Sequence, residues 1–342
     1  MTQVSTYLKR EIEFCIRDIG FRLDSRHISY HVDYRVDKKR IILEGFVHFR
    51  QQENALISAI QSLLRKKRKK IEVRSEIKIL SRKKFRFAQV ISPFAGMHLS
   101  PEKNGEVGTQ LLCGAFIIVY FNRGRYVYAS APDGYLGYVH KDHIIFNDKK
   151  GYLKWLNGRR LRILADAEIK GYFLPAGSEF IGSGAREAQL PDGNSIDLGK
   201  IKTAIHNPAK IPGIGKMIDM ARTYLGTPYV WGGKGSRGLD CSGFTQILFQ
   251  SQGMVLPRDA SQQITVGRLV GLLGDFTDVL PGDLLFFMSN SARINHVGIS
   301  TGKDRFMHAT IKHGITESSI DDPDLGGSPF RNIYIFGRRM YV

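Results

Sequence analysis

The longest uninterrupted apolar run in this 342-residue chain is Leu111–Phe121, eleven residues. A helix that crosses a hydrocarbon layer needs roughly 20, so the chain must bury its apolar side chains in protein cores. Hydrophobic residues make up 42% of it and charged residues 24%, ordinary globular values that exclude a disordered chain. The 36 glycines and 12 prolines follow no triplet period, which excludes a collagen-like one. The length exceeds what one compact core holds, so two to four domains are expected.

Lys and Arg number 50 against 32 Asp and Glu, for a net charge of +18. Such a surplus favours polyanionic company: nucleic acid, anionic lipid, or a carboxylate-rich wall polymer or peptide. The three cysteines, Cys15, Cys113 and Cys241, are an odd, sparse set that makes a poor disulfide framework and suits a reducing compartment. The opening Met-Thr-Gln-Val-Ser-Thr-Tyr-Leu-Lys-Arg-Glu lacks the basic-then-apolar order of a secretory signal. A cytoplasmic location is expected, or a periplasmic or envelope one if a signal was removed before residue 1.

Residues 1–84 read as a small α/β module. Tyr7–Ile19 carries a helical stripe of Ile12, Cys15, Ile16 and Ile19. Strand-like runs His31–Val36 and Arg40–Phe49 follow, joined by Asp37-Lys38-Lys39, then a helical stretch Glu53–Leu64 and a strand Ile71–Leu80. This order resembles the BON-type modules of bacterial envelope proteins. Six consecutive cations, Arg65–Lys70, form a solvated basic face, with phosphate or nucleic-acid binding as the alternative. Residues 85–150 become β-rich, and the ending Asp133-Gly134-Tyr135-Leu136-Gly137-Tyr138-Val139 is similar to the closing strands of bacterial SH3-like modules. Residues 151–207, punctuated by Leu174-Pro175-Ala176-Gly177 and Leu190-Pro191-Asp192-Gly193, read as a degenerate second copy. From 208 an amphipathic helix, Gly213–Leu225, is followed by a Gly-rich loop, a helix beginning at Cys241, and strand-like runs Asp283–Met288, His296–Thr301 and Arg305–Ala309.

Cys241 stands where the Gly-rich loop turns into a helix. A helix N-terminus carries partial positive charge and unpaired N–H groups, which favour a thiolate and offer a donor to a developing oxyanion. His296 opens a strand 55 residues on and suits a general base and acid, and His308 closes the next strand. Two antiparallel strands turning at Gly302-Lys303-Asp304 would set His308 beside His296, where it could orient the first ring. Cys15 and Cys113 sit in apolar patterns and read as core thiols. His140 and His143 lack the partners of a tetrahedral set, so no metal is expected. His313 reads as exposed, and Trp231 as packing or part of a substrate wall. Asp259 and Asp240 both suit helix caps.

These landmarks carry a resemblance. The runs Gly226-Thr227-Pro228-Tyr229-Val230-Trp231-Gly232-Gly233, Asp240-Cys241-Ser242-Gly243-Phe244, Leu256-Pro257-Arg258-Asp259-Ala260-Ser261-Gln262, Pro281-Gly282-Asp283-Leu284-Leu285-Phe286-Phe287 and His296-Val297-Gly298-Ile299 make residues 208–342 similar to NlpC-type papain-like cysteine peptidases. The resemblance implies an α+β chain, with a papain-like catalytic domain behind small SH3-like β-barrels and the N-terminal α/β module. It implies Cys241 as nucleophile, His296 as base and His308 as third residue, with Tyr229, Asp240 and Ser242 around the substrate and no cofactor. SH3-like modules joined to such a domain resemble the cytoplasmic γ-D-glutamyl-L-diamino acid endopeptidases of dipeptidyl-peptidase VI type. In those enzymes the first module closes one end of the cleft and a free N-terminal L-alanine is required. The ammonium of that alanine needs a carboxylate, since an unpaired buried cation is prohibitive; Asp240 and Glu106 are the candidates, with the Tyr135 hydroxyl beside them.

The expected function is therefore hydrolysis of γ-D-glutamyl–diamino acid bonds, with meso-diaminopimelate or lysine as the diamino acid, in peptidoglycan stem peptides. The expected partners are free murein peptides, and no nucleic acid beyond the alternative at Arg65–Lys70. Two rivals stay open: a Cys-dependent amidase or acyltransferase on another amide, and a polyanion- or wall-binding protein with an idle cleft.

Overall fold

The computed structural model describes residues 5–37, 40–82, 85–102, 105–183, 186–199, 201, 203–206, 213–288, 293–324 and 327–340. The domain boundary expected at 207/208 lies outside them, as do residue 84 at the end of the expected first module and Lys38 and Lys39 of the expected first turn. The chain separates into two compact units, Met1–Phe85 and Arg86–Val342.

In the first unit, helix α1 (Thr6–Phe21) is capped by Ser5, whose hydroxyl accepts from the Leu8 N–H at 3.2 Å. Its Leu8 and Ile12 are buried against Leu56, Ile60 and Leu64 of helix α2 (Arg50–Lys66) and Ile41, Leu43 and Val47 of the sheet. Tyr30–Asp37 pairs antiparallel with Arg40–Val47, and Glu72–Ser75 and Lys78–Ile79 pair parallel with that second strand. The run Arg65–Lys70 is where α2 ends. Lys67 caps the helix, and its ammonium lies 2.9 Å from Glu11 and 4.6 Å from the centre of the Tyr7 ring. Part of the basic run is thus committed inside the unit.

In the second unit, strands from residues 86–147 make a seven-stranded sheet, in the order Ile144–Asn147, Arg86–Val90, Phe116–Arg123, Tyr126–Ser130, Leu136–His140, Phe94–His98, Val107–Leu112. The expected closed barrel is not seen: among the described residues the two end strands do not pair. The Val107–Leu112 edge is covered instead by the Lys234–Gly235 segment, whose Lys234 N–H donates to Gln110 Oε1 at 3.2 Å. An exposed strand edge demands such a cover. A five-stranded sheet follows, Ser195–Asp197, Glu187–Gln189, Glu179–Gly182, Arg160–Ile163 and Thr203–His206, again open. Helix α3 (Lys149–Asn157), absent from the sequence expectation, joins the two and buries Trp155 against Phe116.

The remainder is an antiparallel six-stranded sheet, in the order Arg268–Leu272, Tyr334–Arg339, Leu284–Met288, Ile294–Gly302, Arg305–Thr310, Gly314–Ser319. Helices α4 (Ile214–Arg222) and α5 (Cys241–Ser251) pack with it around one core that includes Met217, Phe244, Leu248, Phe286, Val297 and Met307. Nine of the eleven residues of α5 are buried, so this helix is held from all sides and its N-terminal end cannot drift. Phe244, fully buried one turn from Cys241, is part of that grip. Phe244→Ala is expected to cost about 3–5 kcal/mol in a urea unfolding series, and a loss under about 1 kcal/mol would contradict the packing described.

Candidate active site

Cys241 is the first residue of α5, and Asp240 is its cap. The Asp240 carboxylate gathers five donors. Oδ1 accepts from Gly243 N at 2.6 Å, Arg258 Nη1 at 3.0 Å and the Ser242 hydroxyl at 3.3 Å, and Oδ2 accepts from Gly232 N at 2.9 Å and Arg258 Nη2 at 2.6 Å. Arg258 is 1% exposed. Its remaining reach goes to the Ser242 hydroxyl at 2.8 Å and, through Nε, to Thr109 Oγ1 at 2.8 Å. One guanidinium therefore holds the helix cap, the residue after Cys241, and the edge strand Val107–Leu112. Beside it Gln263 donates to Ser242 O and Pro257 O and accepts from Thr245, so the chain on either side of Arg258 is tied to the same helix.

The Cys241 sulfur lies against the strand that carries His296, 3.9 Å from Asn295 O and with the Val297 N–H directed at it. On that strand His296 Nε2 is 2.8 Å from His308 Nδ1, so the other ring nitrogen of His296, Nδ1, takes no part in that contact. The expected antiparallel pairing is present, with Gly298 opposite His308. A side chain at Gly298 would strike Phe306 at 2.7 Å and the His308 Cβ at 3.2 Å, so the glycine lets the His308 ring lean diagonally to His296. His308 is fully buried between Phe306 and Phe330, at ring centroid distances of 4.5 and 5.0 Å. Its Nε2 meets Ser318 Oγ at 3.1 Å.

Burial dominates the protonation of these groups. It pushes the Cys241 thiol up to about 12, helped by the Asp240 charge and opposed by the N–H groups of Val297 and Ser242 and by Arg258. It pushes the His296 imidazole down to about 4, and His308 well below the usual histidine range, where the His296 charge adds to the effect. All three directions favour neutral forms, so the thiol and both imidazoles rest uncharged. The pull of the helix end on the thiol, expected from the sequence, is outweighed by desolvation.

The other site candidates fall around this centre. Tyr229 is half-buried beside Cys241 and Asp240, and burial, the Cys241 charge and the Asp240 charge, in that order, raise its phenol. Ser242 is buried with its hydroxyl engaged by Arg258 and Asp240. Glu106 accepts from Trp231 Nε1 at 3.1 Å, which brings a carboxylate from the seven-stranded sheet onto the Tyr229–Gly233 loop. Gly232, at φ +76°, would carry a Cβ 2.7 Å from Val107 O, so only glycine permits this approach. Tyr135 is buried in the core of that sheet, its hydroxyl next to Gly108, where an added Cβ would stand 2.7 Å from it. A second tie between the sheet and α5 is Asp133, which accepts from Lys234 Nζ at 3.4 Å and Gln246 Nε2 at 3.0 Å. Although burial pushes its carboxyl up, the Lys234 ammonium holds it below the usual range.

Sequence reasoning missed Arg258, Asp133, Gln263 and Ser318. Arg258 stands inside the Leu256-Pro257-Arg258 landmark, where a positive charge directly after an apolar Leu-Pro pair was the available signal. Ser318 sits on the strand Gly314–Ser319, whose Gly-Ile-Thr-Glu-Ser-Ser carries little apolar alternation. Cys113 lies in a core and burial pushes it up to about 12; Cys15 is half-buried and also raised by burial. Among the described residues no cluster of His, Cys, Asp or Glu could hold a metal ion, and no helix is long and apolar enough to cross a membrane.

Residues 226–326 match the family model described as "NlpC/P60 family". "Probable endopeptidase NlpC" of Escherichia coli K12 is 38% identical over 106 residues, 30% of this chain and 66% of that one. A "Probable endopeptidase" of Haemophilus influenzae is 36% identical over 115 residues, 33% of this chain and 69% of its own. The chain belongs to the NlpC/P60 family of cysteine peptidases. A "Gamma-D-glutamyl-L-lysine dipeptidyl-peptidase" of Bacillus subtilis 168 is 39% identical to this NlpC/P60 chain over 95 residues, 27% of this chain and 31% of that one. The stretch matched spans from under a third to about two-thirds of these relatives' own lengths. An NlpC/P60 protein of known structure from Bacillus cereus ATCC 10987 shares the fold with a TM-score of 0.64 at 19% identity, over 74% of this chain and 99% of that one.

Arg258→Leu is expected to destabilise this NlpC/P60 chain by about 3–5 kcal/mol, because it strands the buried Asp240 carboxylate. Arg258→Lys keeps the charge but loses the fork, and is expected to recover less than half of that. Guanidinium unfolding checks both, and a Lys variant as stable as wild type would contradict the bidentate role.

Proposed function

We propose that the chain is a cysteine endopeptidase that hydrolyses γ-D-glutamyl–L-diamino acid bonds, with meso-diaminopimelate or lysine as the diamino acid, in peptidoglycan stem peptides that carry a free N-terminal L-alanine. The observation that carries this reading is the Glu106–Trp231 contact, a carboxylate from the preceding sheet at the rim of the nucleophile's own loop. It is supported by the activity for which the Bacillus subtilis relative, a γ-D-glutamyl-L-lysine dipeptidyl-peptidase, is named. On this reading residues 85–150 are an SH3-like module, opened at the edge that meets the peptidase domain, and residues 151–207 a degenerate second copy.

Cys241 attacks the scissile carbonyl carbon as its proton passes to His296 Nδ1, so the sulfur gains charge only as the bond to carbon forms. This sequence suits a pair held neutral by burial. The oxyanion is met by N–H groups at the start of α5. His296 then gives its proton to the leaving amine, the acyl-enzyme forms, and His296 draws a proton from the water that releases the L-Ala-γ-D-Glu product. His308 keeps the His296 ring in place. The L-alanine ammonium pairs with Glu106, with Tyr229, Ser242 and Tyr135 shaping the same end. Asp240 already serves five donors, so its part is to hold that end rigid.

Two synthetic substrates test the reading: L-Ala-γ-D-Glu-meso-diaminopimelate and its N-acetylated form, with products read by mass spectrometry. The free peptide is expected to be cut and the acetylated one spared, with Cys241→Ala inactive on both. Equal cleavage of the two would sink the ammonium pocket, and cleavage of neither would sink the stem-peptide reading. Glu106→Gln is expected to cost roughly ten- to a hundredfold in kcat/KM on the free peptide, with little effect on thermal stability. The pH profile is a further check. His296 must be neutral to accept the proton, and its pKa is lowered to about 4. The acid limb of kcat/KM should therefore lie near pH 4, with a plateau from about pH 5 to 7; a limb centred near the unperturbed histidine value of about 6.5 would contradict the burial argument.

A further inference from the structure

The pair His296–His308 ends in a group that the proposed function leaves unused. His308 sits between Phe306 and Phe330, with both ring nitrogens inside the protein, and its two polar partners are His296 on one side and the Ser318 hydroxyl on the other. The sheet explains why these three side chains line up. Gly298, His308 and Thr316 stand opposite one another on adjacent strands. His296 is two residues before Gly298, and Ser318 is two residues after Thr316. All these side chains therefore point to one face, and His296, His308 and Ser318 run diagonally across three strands.

We propose that Ser318 is a positioning residue for catalysis, whose hydroxyl oxygen fixes the tautomer of His308. On the Cys241–His296 reading above, the protons along the line require this tautomer. When the Cys241 proton moves to His296 Nδ1, the imidazolium carries N–H on both nitrogens. The proton on His296 Nε2 then needs an acceptor at 2.8 Å, which is His308 Nδ1. For Nδ1 to accept, the single proton of neutral His308 must sit on Nε2, and there its acceptor is Ser318 Oγ at 3.1 Å. The opposite tautomer would aim an N–H of His308 at His296 Nε2. That arrangement would oppose the imidazolium that attack requires. No proton leaves His308 in either step: the Cys241 proton goes to His296 and later to the leaving amine, and Ser318 only accepts a hydrogen bond throughout. In an apolar cage a buried N–H without an acceptor is costly, so the serine oxygen selects which nitrogen of His308 is protonated.

Ser318→Ala and Ser318→Thr test this, since threonine keeps the hydroxyl and suits a strand. Ser318→Ala is expected to lower kcat roughly tenfold with KM nearly unchanged, while Ser318→Thr stays within about threefold of wild type. Nitrogen-15 spectra of histidine-labelled protein read the tautomer without substrate: His308 should be Nε2-protonated in wild type and Ser318→Thr, and shifted toward Nδ1 protonation in Ser318→Ala. An unchanged His308 tautomer in Ser318→Ala would overturn the inference, as would alanine and threonine variants equally impaired, which would mean packing alone. If wild type cleaves neither stem peptide, the proposed substrate fails, and the spectra still decide the role of Ser318.

Discussion

Everything around Cys241 hangs on one buried guanidinium. Arg258 faces the Asp240 carboxylate with two nitrogens and reaches Thr109 with a third. Such an ion pair is no free gain, since desolvating both groups offsets most of their attraction. What it provides is geometry. Asp240 can cap α5 and grip Gly232 only because its charge is neutralised, and α5 can present Cys241 only because its cap is in place. Through Thr109 the same group joins the seven-stranded sheet to this arrangement. The Glu106–Trp231 contact and the Asp133 contacts to Lys234 and Gln246 then fix the edge of that sheet against the Gly-rich loop.

A second constraint is dryness. Cys241, His296 and His308 all sit where burial favours their neutral forms. On the proposed mechanism a neutral thiol–imidazole pair reacts by moving one proton over a short path as the carbon–sulfur bond forms, and this demands that the imidazole ring point correctly at every turnover. The diagonal from His296 to His308 to Ser318, with Gly298 clearing the way, meets that demand using strand register alone. Proposed chemistry and observed packing are thus two consequences of one sheet.

Much of this centre was legible in the sequence because its signals are local. A cysteine after an aspartate at a loop–helix junction, and two histidines on strands joined by a Gly-containing turn, declare their geometry through turn and strand chemistry. The helices Tyr7–Ile19 and Glu53–Leu64 were legible for a similar reason, their apolar stripes, though the structure extends both. What stayed hidden depends on partners distant in the chain. Arg258 acquires meaning only from Asp240 and Thr109, the latter 149 residues away. Ser318 lies on a polar strand with no period to read, and the strand Tyr334–Arg339, next to one edge of its sheet, was missed as well. The small barrels were expected from turn signals, but whether a sheet closes is decided by what covers its edge. Here that cover is Lys234–Gly235, from another part of the chain.

The most direct test of the central claim, that the sheet edge at Glu106 and the nucleophile at Cys241 bind one peptide together, is a crystal structure of Cys241→Ala soaked with L-Ala-γ-D-Glu-meso-diaminopimelate. The alanine ammonium is expected within hydrogen-bond distance of the Glu106 carboxylate, and the γ-glutamyl carbonyl carbon beside residue 241, below the His296 ring. A peptide bound with its ammonium away from Glu106, or with another bond at residue 241, would contradict it.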